Sequence, residues 1–340
     1  MKKYLLPPLS GGKFYKANLH CHSTVSDGKL TPLELKEAYK KEGYGIVAFT
    51  DHELLQEHAE LNDESFVALT GYEVAFCEEK EGPWKYKKNC HLNCFAKDPK
   101  NTRIVGFHPS NFWLCGEDVY GKQEYVGEPY KHDYSIEGVN RFIKDASENG
   151  FLVSYNHPVW SCEGYNEYTN YEGCFAMEIY NYASDLLSGM DYAPIAYDEM
   201  LRSGKCGRLF AVAGDDNHTG GGLDDSFGGI TMIFAEELNY ANVIDSLEKG
   251  RFYTKMKNSP EIYSAYYEDG KVILEFSNAR DVYMRTGCRS FAGIHMKDEP
   301  LTRAEFTVKS DDTYVRFDIV GMDGSHTNTN AFFIDELIND

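Results

Sequence analysis

The feature that most constrains this chain is an alternation. Over the first 250 residues, short apolar runs trade places with amphipathic stretches, and metal-binding residue types sit where the apolar runs end. "KANLHCH" reads as a strand and "TPLELKEAYKKEG" as a helix, with Gly43 placed to cap its C-terminus. "YGIVAFTDHE", "SFVALTGYEVAF" and "HLNCFAKD" follow as strands. In "SIEGVNRFIKDASENG", Ile136, Val139, Phe142 and Ile143 share one helical face and Gly150 stops the helix. "FLVSYNHP", "FAMEIYNY", "LFAVAGDDNH" and "GGITMIFAEE" read as further strands, with helices through "YAPIAYDEMLRSGK" and "NYANVIDSLEKG". Such a series predicts an α/β fold, either a parallel barrel or a doubly wound sheet.

After about Pro260 the texture changes to short alternating strands broken by Asp-Gly turns. We therefore expect an α/β unit over 14–256 and a small antiparallel, sandwich-like β domain over 259–338. A polar, aromatic-rich insertion at about 77–135 is too long for an ordinary loop, and its Trp, Tyr and Phe content predicts a lid.

Lys and Arg total 34 against 54 Asp and Glu, a formal charge of −20. A surface this acidic argues against a polynucleotide partner, whose affinity comes from neutralised phosphates. It leaves room for a small anion, because bound cations can reverse the local field. The run before Pro7-Pro8 is too short for a signal peptide, and no apolar stretch is long enough for a membrane span. The nine cysteines are odd in number and form no CxxC pair, so free thiols and a cytoplasmic location are expected.

The strand ends carry the chemistry. His20 and His22 alternate in the first strand and so share a face, with Asp27 on the turn that leaves it and Cys21 pointing the other way into the core. Asp51-His52 ends the second strand, Glu73 lies in the third, His91 begins the next, and His157 follows "FLVSYNHP". Glu178 lies in "MEIYN", and Asp215, Asp216 and His218 end "AVAGDDNH". Any one buried His or Glu is more often a satisfied core group than a ligand. Six of the eleven histidines gathered along one set of strand ends predict a metal site, since α/β sites lie at the carboxyl ends of strands. Lys29, Lys122, Lys131 and Arg208 read as ordinary surface charges, and the "TGGG" at 219–222 as a flexible loop. No GxSxG, P-loop or GxGxxG motif offers a rival chemistry.

"HCHSTVSDG", "TDHE", the Glu73 strand, "NHP" and "AGDDNH" together resemble the polymerase-and-histidinol-phosphatase (PHP) superfamily of metal-dependent phosphoesterases over about residues 17–255. The tail is similar to the C-terminal module of the CehA/McbA metallohydrolase branch. The resemblance implies a distorted seven-stranded (βα) barrel and a site for two or three divalent ions of Zn, Mn or Fe. It would place one ion on His20, His22, Glu73 and Asp216, and a second on Glu73, His91 and His157. A third would lie on Asp27, His52 and His218, with carboxylate at a position where relatives often carry histidine. Asp51 and Asp215 would support the ligands from behind, Asp51 by orienting an imidazole. Glu73, His52, Asp216 and His218 would carry the catalytic chemistry. The implied reaction is hydrolysis of a small phosphomonoester, a nucleotide or sugar phosphate, by in-line attack of a metal-bound hydroxide. The alternatives are a phosphodiesterase or exonuclease on short oligonucleotides, a carboxylic ester or carbamate hydrolase of the CehA/McbA type, and a metal-bearing binding module without catalysis.

Overall fold

The computed structural model describes residues 2–79, 87–220, 222 and 224–338. Its centre is built on seven strands: β1 (Lys13–Asn18), β2 (Tyr44–Phe49), β3 (Val67–Cys77), β4 (Asn89–Ala96), β5 (Phe151–Tyr155), β6 (Ala176–Asn181) and β7 (Phe210–Gly214). They lie side by side in chain order within one sheet. β2 is buried along its whole length, so "YGIVAF" carries no polar alternation.

Helices supply the crossovers. α1 (Pro32–Lys41) starts where Thr31 accepts from the Glu34 N–H and the Glu34 side chain reaches back to the Thr31 backbone, a capping box completed by Pro32 in the first turn. Leu35 and Tyr39 form its buried face. α2 (Ile136–Glu148) is capped by Ser135 and buries Val139, Phe142, Ile143 and Ala146 at 3.6-residue spacing, while Ile136 is only partly buried. α3 (Tyr182–Ser188) and α4 (Pro194–Ser203) lie between β6 and β7.

The parallel sheet expected from the alternation is broken at one strand. β4 runs antiparallel to both β3 and β5, whereas β1–β2–β3 and β5–β6–β7 pair in parallel. The chain leaves Cys77 and returns at Asn89, with the Glu78 N–H bonding the Lys88 carbonyl, too short a path for a crossover helix. The first residues of β4 therefore lie at the same edge as the last residues of the other six.

Past their ends, β1 and β7 meet. The Asp216 N–H bonds the His20 carbonyl at 2.9 Å, the His22 N–H bonds the Asn217 carbonyl at 3.2 Å, and Cys21 bridges Asn217 in parallel. Lower down, the Thr231 hydroxyl accepts from the Ala213 N–H and donates to the Ala213 carbonyl. Thr231 belongs to β8 (Gly229–Ala235), antiparallel to β1. α5 (Tyr240–Glu248) then leads to β9 (Phe252–Met256).

The tail forms β10 (Ile262–Glu268), β11 (Lys271–Ala279), β12 (Asp281–Thr286), β13 (Ala292–His295), β14 (Leu301–Thr307), β15 (Tyr314–Val320) and β16 (His326–Thr329). These are antiparallel, as expected. β10, β11 and β14 make a separate small sheet with Lys3–Tyr4, but β16 pairs with β9, so β16, β15, β12 and β13 extend the central sheet. The two sheets share a core in which Phe306 packs on Phe317. A buried ion pair also ties the tail to α4: Arg316 on β15 grips Asp198 with Nε at 2.7 Å and a terminal nitrogen at 2.6 Å, while the Tyr314 hydroxyl donates to the same carboxylate.

The insertion is ordered where it is described; residues 80–86 lie outside the described residues, as does Gly221 of the "TGGG" run. Ile104–Val105 pairs in parallel with Tyr125–Val126, and rings stack on one another, Phe107 on Tyr125 at 4.3 Å and Phe112 on Tyr120 at 5.1 Å. All nine cysteines are free. Among the described residues no helix is long and apolar enough to cross a membrane.

Removing Asp198 leaves a fully buried guanidinium without its carboxylate. Asp198→Ala is therefore expected to cost about 3–5 kcal/mol, measured as a lower urea midpoint.

Candidate metal centre

The site is assembled at the edge where β4 begins and the other strands end. Backbone pairing fixes the presenting residues before any side chain is considered. The extension of β2 stays bonded to β3, with the Glu73 N–H on the Asp51 carbonyl and the Glu53 N–H on the Glu73 carbonyl. His20 and His22 ride on the extension of β1, held between Thr50 and the 216–217 segment. Gly214 is required here, because a Cβ would come within 2.5 Å of the His20 Cβ and 2.8 Å of Glu178. Cys21 points away into the opposite core, as period-two alternation demands.

Glu73, fully buried, is the common element. One carboxylate oxygen faces His20 Nε2 and His91 Nδ1 at 3.1 Å each and His157 Nε2 at 3.4 Å; the other faces His52 Nδ1 at 3.0 Å and His22 Nε2 at 3.4 Å. Asp216 Oδ1 lies 3.0 Å from His22 Nε2 and 3.3 Å from His20 Nε2. Asp27 Oδ2 lies 3.4 Å from His218 Nε2 and 3.8 Å from His52 Nε2. All nine residues singled out in the sequence thus converge.

The donor atoms fall into overlapping groups whose members lie within 4.8 Å of one another: His20, His22, Glu73 and Asp216; His22, Asp27, His52 and His218; His52, Glu73 and His91; and His20, His157 and Glu178. The first matches the set that the resemblance implied. The second adds His22 to the implied third set. His91 and His157 share Glu73, yet each also belongs to a different group.

These spacings fit metal ions better than hydrogen bonds. Ligands each about 2.0–2.1 Å from one ion stand roughly 3.0–3.4 Å apart at octahedral or tetrahedral angles. The separations around Glu73, and those of Asp216 from His20 and His22, fall in that range, while His157 and His218 stand farther from Asp216, at 3.8 and 4.0 Å. Meanwhile His20 Nε2, both nitrogens of His22, His52 Nδ1 and the second Glu73 oxygen are buried without a hydrogen-bond partner, so they face one another without being aimed at one another. Mixed imidazole and carboxylate donors suit Zn, Mn or Fe.

Electrostatics point the same way. Burial and the neighbouring His52 and His218 hold His22 down to about 4, keeping it neutral as a ligand must be. Burial also opposes charge on His157 and His218, but the Glu73 carboxylate facing His157 and the Asp27 carboxylate facing His218 raise each to about 9. Glu73 and Asp216 pay a burial cost in their charged forms, yet the surrounding imidazoles hold both well below the carboxylate range. The carboxylates demand positive charge, and protons on imidazoles are the form it takes where no metal supplies it.

Behind the donors stands a layer the sequence revealed only in part. Glu178 faces His20 Nδ1 at 3.1 Å with one oxygen and accepts the His157 N–H with the other. Asn156 donates to Glu73, and Asn181 donates to both Glu178 and Asp216. Neither asparagine carries a spacing signal: in "NHP" Asn156 shows only as a neighbour of His157, and in "YNY" Asn181 stands between two tyrosines. Asp51 corrects an expectation. Its oxygens accept the Ser23 and Ser26 N–H groups and hydroxyls, so it braces the loop that presents Asp27 and orients no imidazole. Asp215 likewise braces the 227–229 segment and accepts the Tyr39 hydroxyl. Asp216 adopts φ 54°, a left-handed conformation maintained by these flanking bonds.

A cavity of about 260 Å³ opens over the donors, lined also by Asn89, Trp113, Trp160, Ser184 and Leu187. Lys131 and Arg208 instead pair with Glu79 and Glu336, and Lys122 lines a different cavity.

The PHP domain family model matches residues 18–289. A 5'-3' exoribonuclease from Haemophilus influenzae is 35% identical over 125 residues, which cover 35% of this chain and 43% of that protein. The chain therefore spans less than half the length of that curated relative. Among solved structures, a two-domain protein from Bacteroides vulgatus, described as containing a predicted PHP-like metal-dependent phosphoesterase, is 15% identical, with 97% of this chain and 98% of that one covered and a TM-score of 0.46. An amidohydrolase from Chromobacterium violaceum is 17% identical over 69% of this chain and 96% of that one, with a TM-score of 0.40. With most of its length, the whole rim of donors included, matched by that family model, this chain belongs to the PHP domain family.

Proposed function

We propose that the protein is a metal-dependent phosphoesterase that hydrolyses a small phosphomonoester. The observation that carries this reading is the sharing of Glu73 and His22 among overlapping donor groups, which would let two or three ions sit close together beneath one cavity. In this reading His20, His22, Asp27, His52, Glu73, His91, His157, Asp216 and His218 are the ligands, and β1–β7 with their Cys21–Asn217 closure form a distorted seven-stranded barrel.

Clustered divalent ions, when bound, acidify a coordinated water and neutralise the oxygens of a phosphoryl group. The chain's own part is to hold them together and keep the balance of charge positive. Asp27, Glu73 and Asp216 bring three negative charges, so two divalent ions would leave one positive charge over and three would leave three. Three ions would thus more than offset a phosphate dianion and two would offset half of it, without a Lys or Arg in the lining among the described residues. The Glu73 oxygens, each facing more than one imidazole, would hold more than one ion, and Glu178 holds His20 so that Nε2 faces the site. Phosphoryl transfer needs positioning and charge more than a covalent nucleophile. Ester or carbamate hydrolysis would use the same ions, but a neutral carbonyl does not need the excess charge. The exoribonuclease likeness raises a polynucleotide reading; the −20 charge and a cavity lining without Lys or Arg among the described residues favour a small substrate.

Elemental analysis is expected to find two or three ions per chain. Chelation should abolish phosphate release from small monoesters and Mn or Zn should restore it; full activity in the metal-free protein would overturn the proposal. Because the donors come together only in the folded chain, metal at about 100 times its dissociation constant should add about 2.7 kcal/mol of stability for each site filled, seen as a rise in Tm. His22→Ala should abolish metal-dependent turnover while far-UV circular dichroism stays unchanged. Glu178→Gln should weaken metal affinity roughly 10- to 100-fold by loosening His20, measured by titration of the apo protein.

A further inference from the structure

Two of the chain's three tryptophans stand at the mouth of the metal cavity, and the core uses neither. Trp113, from the insertion, has its ring 5.5 Å from His52; Trp160, from the turn after β5, has its ring 5.0 Å from His91 and 4.9 Å from His157. They thus border neighbouring donors of one site: His52 and His91 belong to one donor group with Glu73, and His157 to another. Both line the cavity, yet they remain 60% and 46% exposed, and Leu187 beside them is 83% exposed. Large apolar groups left in water around a concave site mark a surface that binds something apolar.

The backbone that carries each indole is held in place. The Trp160 backbone N–H donates to Asp191, a carboxylate that is itself buried, within a turn closed by the Ser161 N–H on the His157 carbonyl. Trp113 follows Phe112, which is buried and stacked on Tyr120. Apart from donor-type residues, the polar groups lining the cavity among the described residues are Asn89 and Ser184, and Asn89 already bonds His91. A sugar phosphate would bring several hydroxyls to a lining with little to pair them, and unpaired polar groups cost binding energy. A flat ring needs no such partners and gains by stacking on indole.

We infer that the part of the substrate beyond its phosphate is a planar aromatic group, and that Trp113 and Trp160 select it by stacking. This rests on the phosphoesterase reading above. A nucleobase and a simple aryl group share that chemistry, so the test separates them.

The experiment compares butyl phosphate, benzyl phosphate and adenosine 5'-monophosphate on the Mn-loaded protein. All three release an alcohol from phosphate, so their differences report recognition more than leaving-group chemistry. We expect kcat/KM for at least one aromatic ester to exceed that for butyl phosphate by 10-fold or more. Trp113→Ala and Trp160→Ala should each erode the preference by on the order of 10-fold, with metal content unchanged and with Phe restoring much of it. Equal preference for benzyl and adenosine esters would identify the ring alone as the feature read; preference for the nucleotide would identify a nucleobase. Equal turnover of all three, unaffected by the Trp variants, would overturn the inference and leave the phosphoesterase reading standing. If no phosphate ester is hydrolysed, that reading fails, and calorimetry with benzylphosphonate against butylphosphonate decides the inference alone: tighter, Trp-dependent benzyl binding supports it and equal affinity overturns it.

Discussion

A fully buried carboxylate facing five imidazoles is the interaction on which the rest of this structure depends. Glu73 lies on a central strand with no solvent to stabilise its charge, and its two oxygens point at His20, His91 and His157 on one side and at His22 and His52 on the other. A buried charge is tolerated only when it is paired and hydrogen-bonded. The histidines, the Asn156 amide and the closure of β1 against β7 all serve that need. The same arrangement brings donor atoms to metal-ligand spacing, so what stabilises the carboxylate is also what would bind the ions.

The reversed strand β4 shows how the fold completes the site. Six strands deliver residues at their ends. A seventh parallel strand would have put His91 at the far edge of the sheet, remote from Glu73. Running antiparallel, β4 begins at the site, and His91 faces Glu73 from the adjacent strand. The part of the insertion that follows β4 brings Trp113 over the donors that the strands supply. The tail, clamped to α4 through Arg316 and Asp198 and joined to β9 through β16, continues the sheet on the side away from the donors.

The chemistry offered at the mouth differs from that at the base. Below, charged donors crowd together; above, indole and leucine side chains meet solvent. In the proposed reading, that division would give ions the task of handling phosphate and leave the remainder of a substrate to apolar contact. A negatively charged substrate would then be compatible with an acidic protein, since the charge of −20 is a property of the surface as a whole and the ions would set the field locally.

By itself, the sequence determined which residues could be donors and which face they share. Period-two alternation puts His20 and His22 together and Cys21 opposite, and helical spacing with Gly150 and Gly43 at the ends marks α2 and α1. The series of strand ends gave the rim, and its motifs gave the family. Only the tertiary structure decided that β4 is reversed, that Asp51 and Asp215 brace loops, that Asn156, Glu178 and Asn181 tie donors together, and that Trp113 and Trp160 meet over one cavity. The reason is physical. Periodicity encodes the face a residue takes on its own element, whereas strand direction and contacts such as Glu178 with His20, 158 residues apart, depend on how distant elements pack.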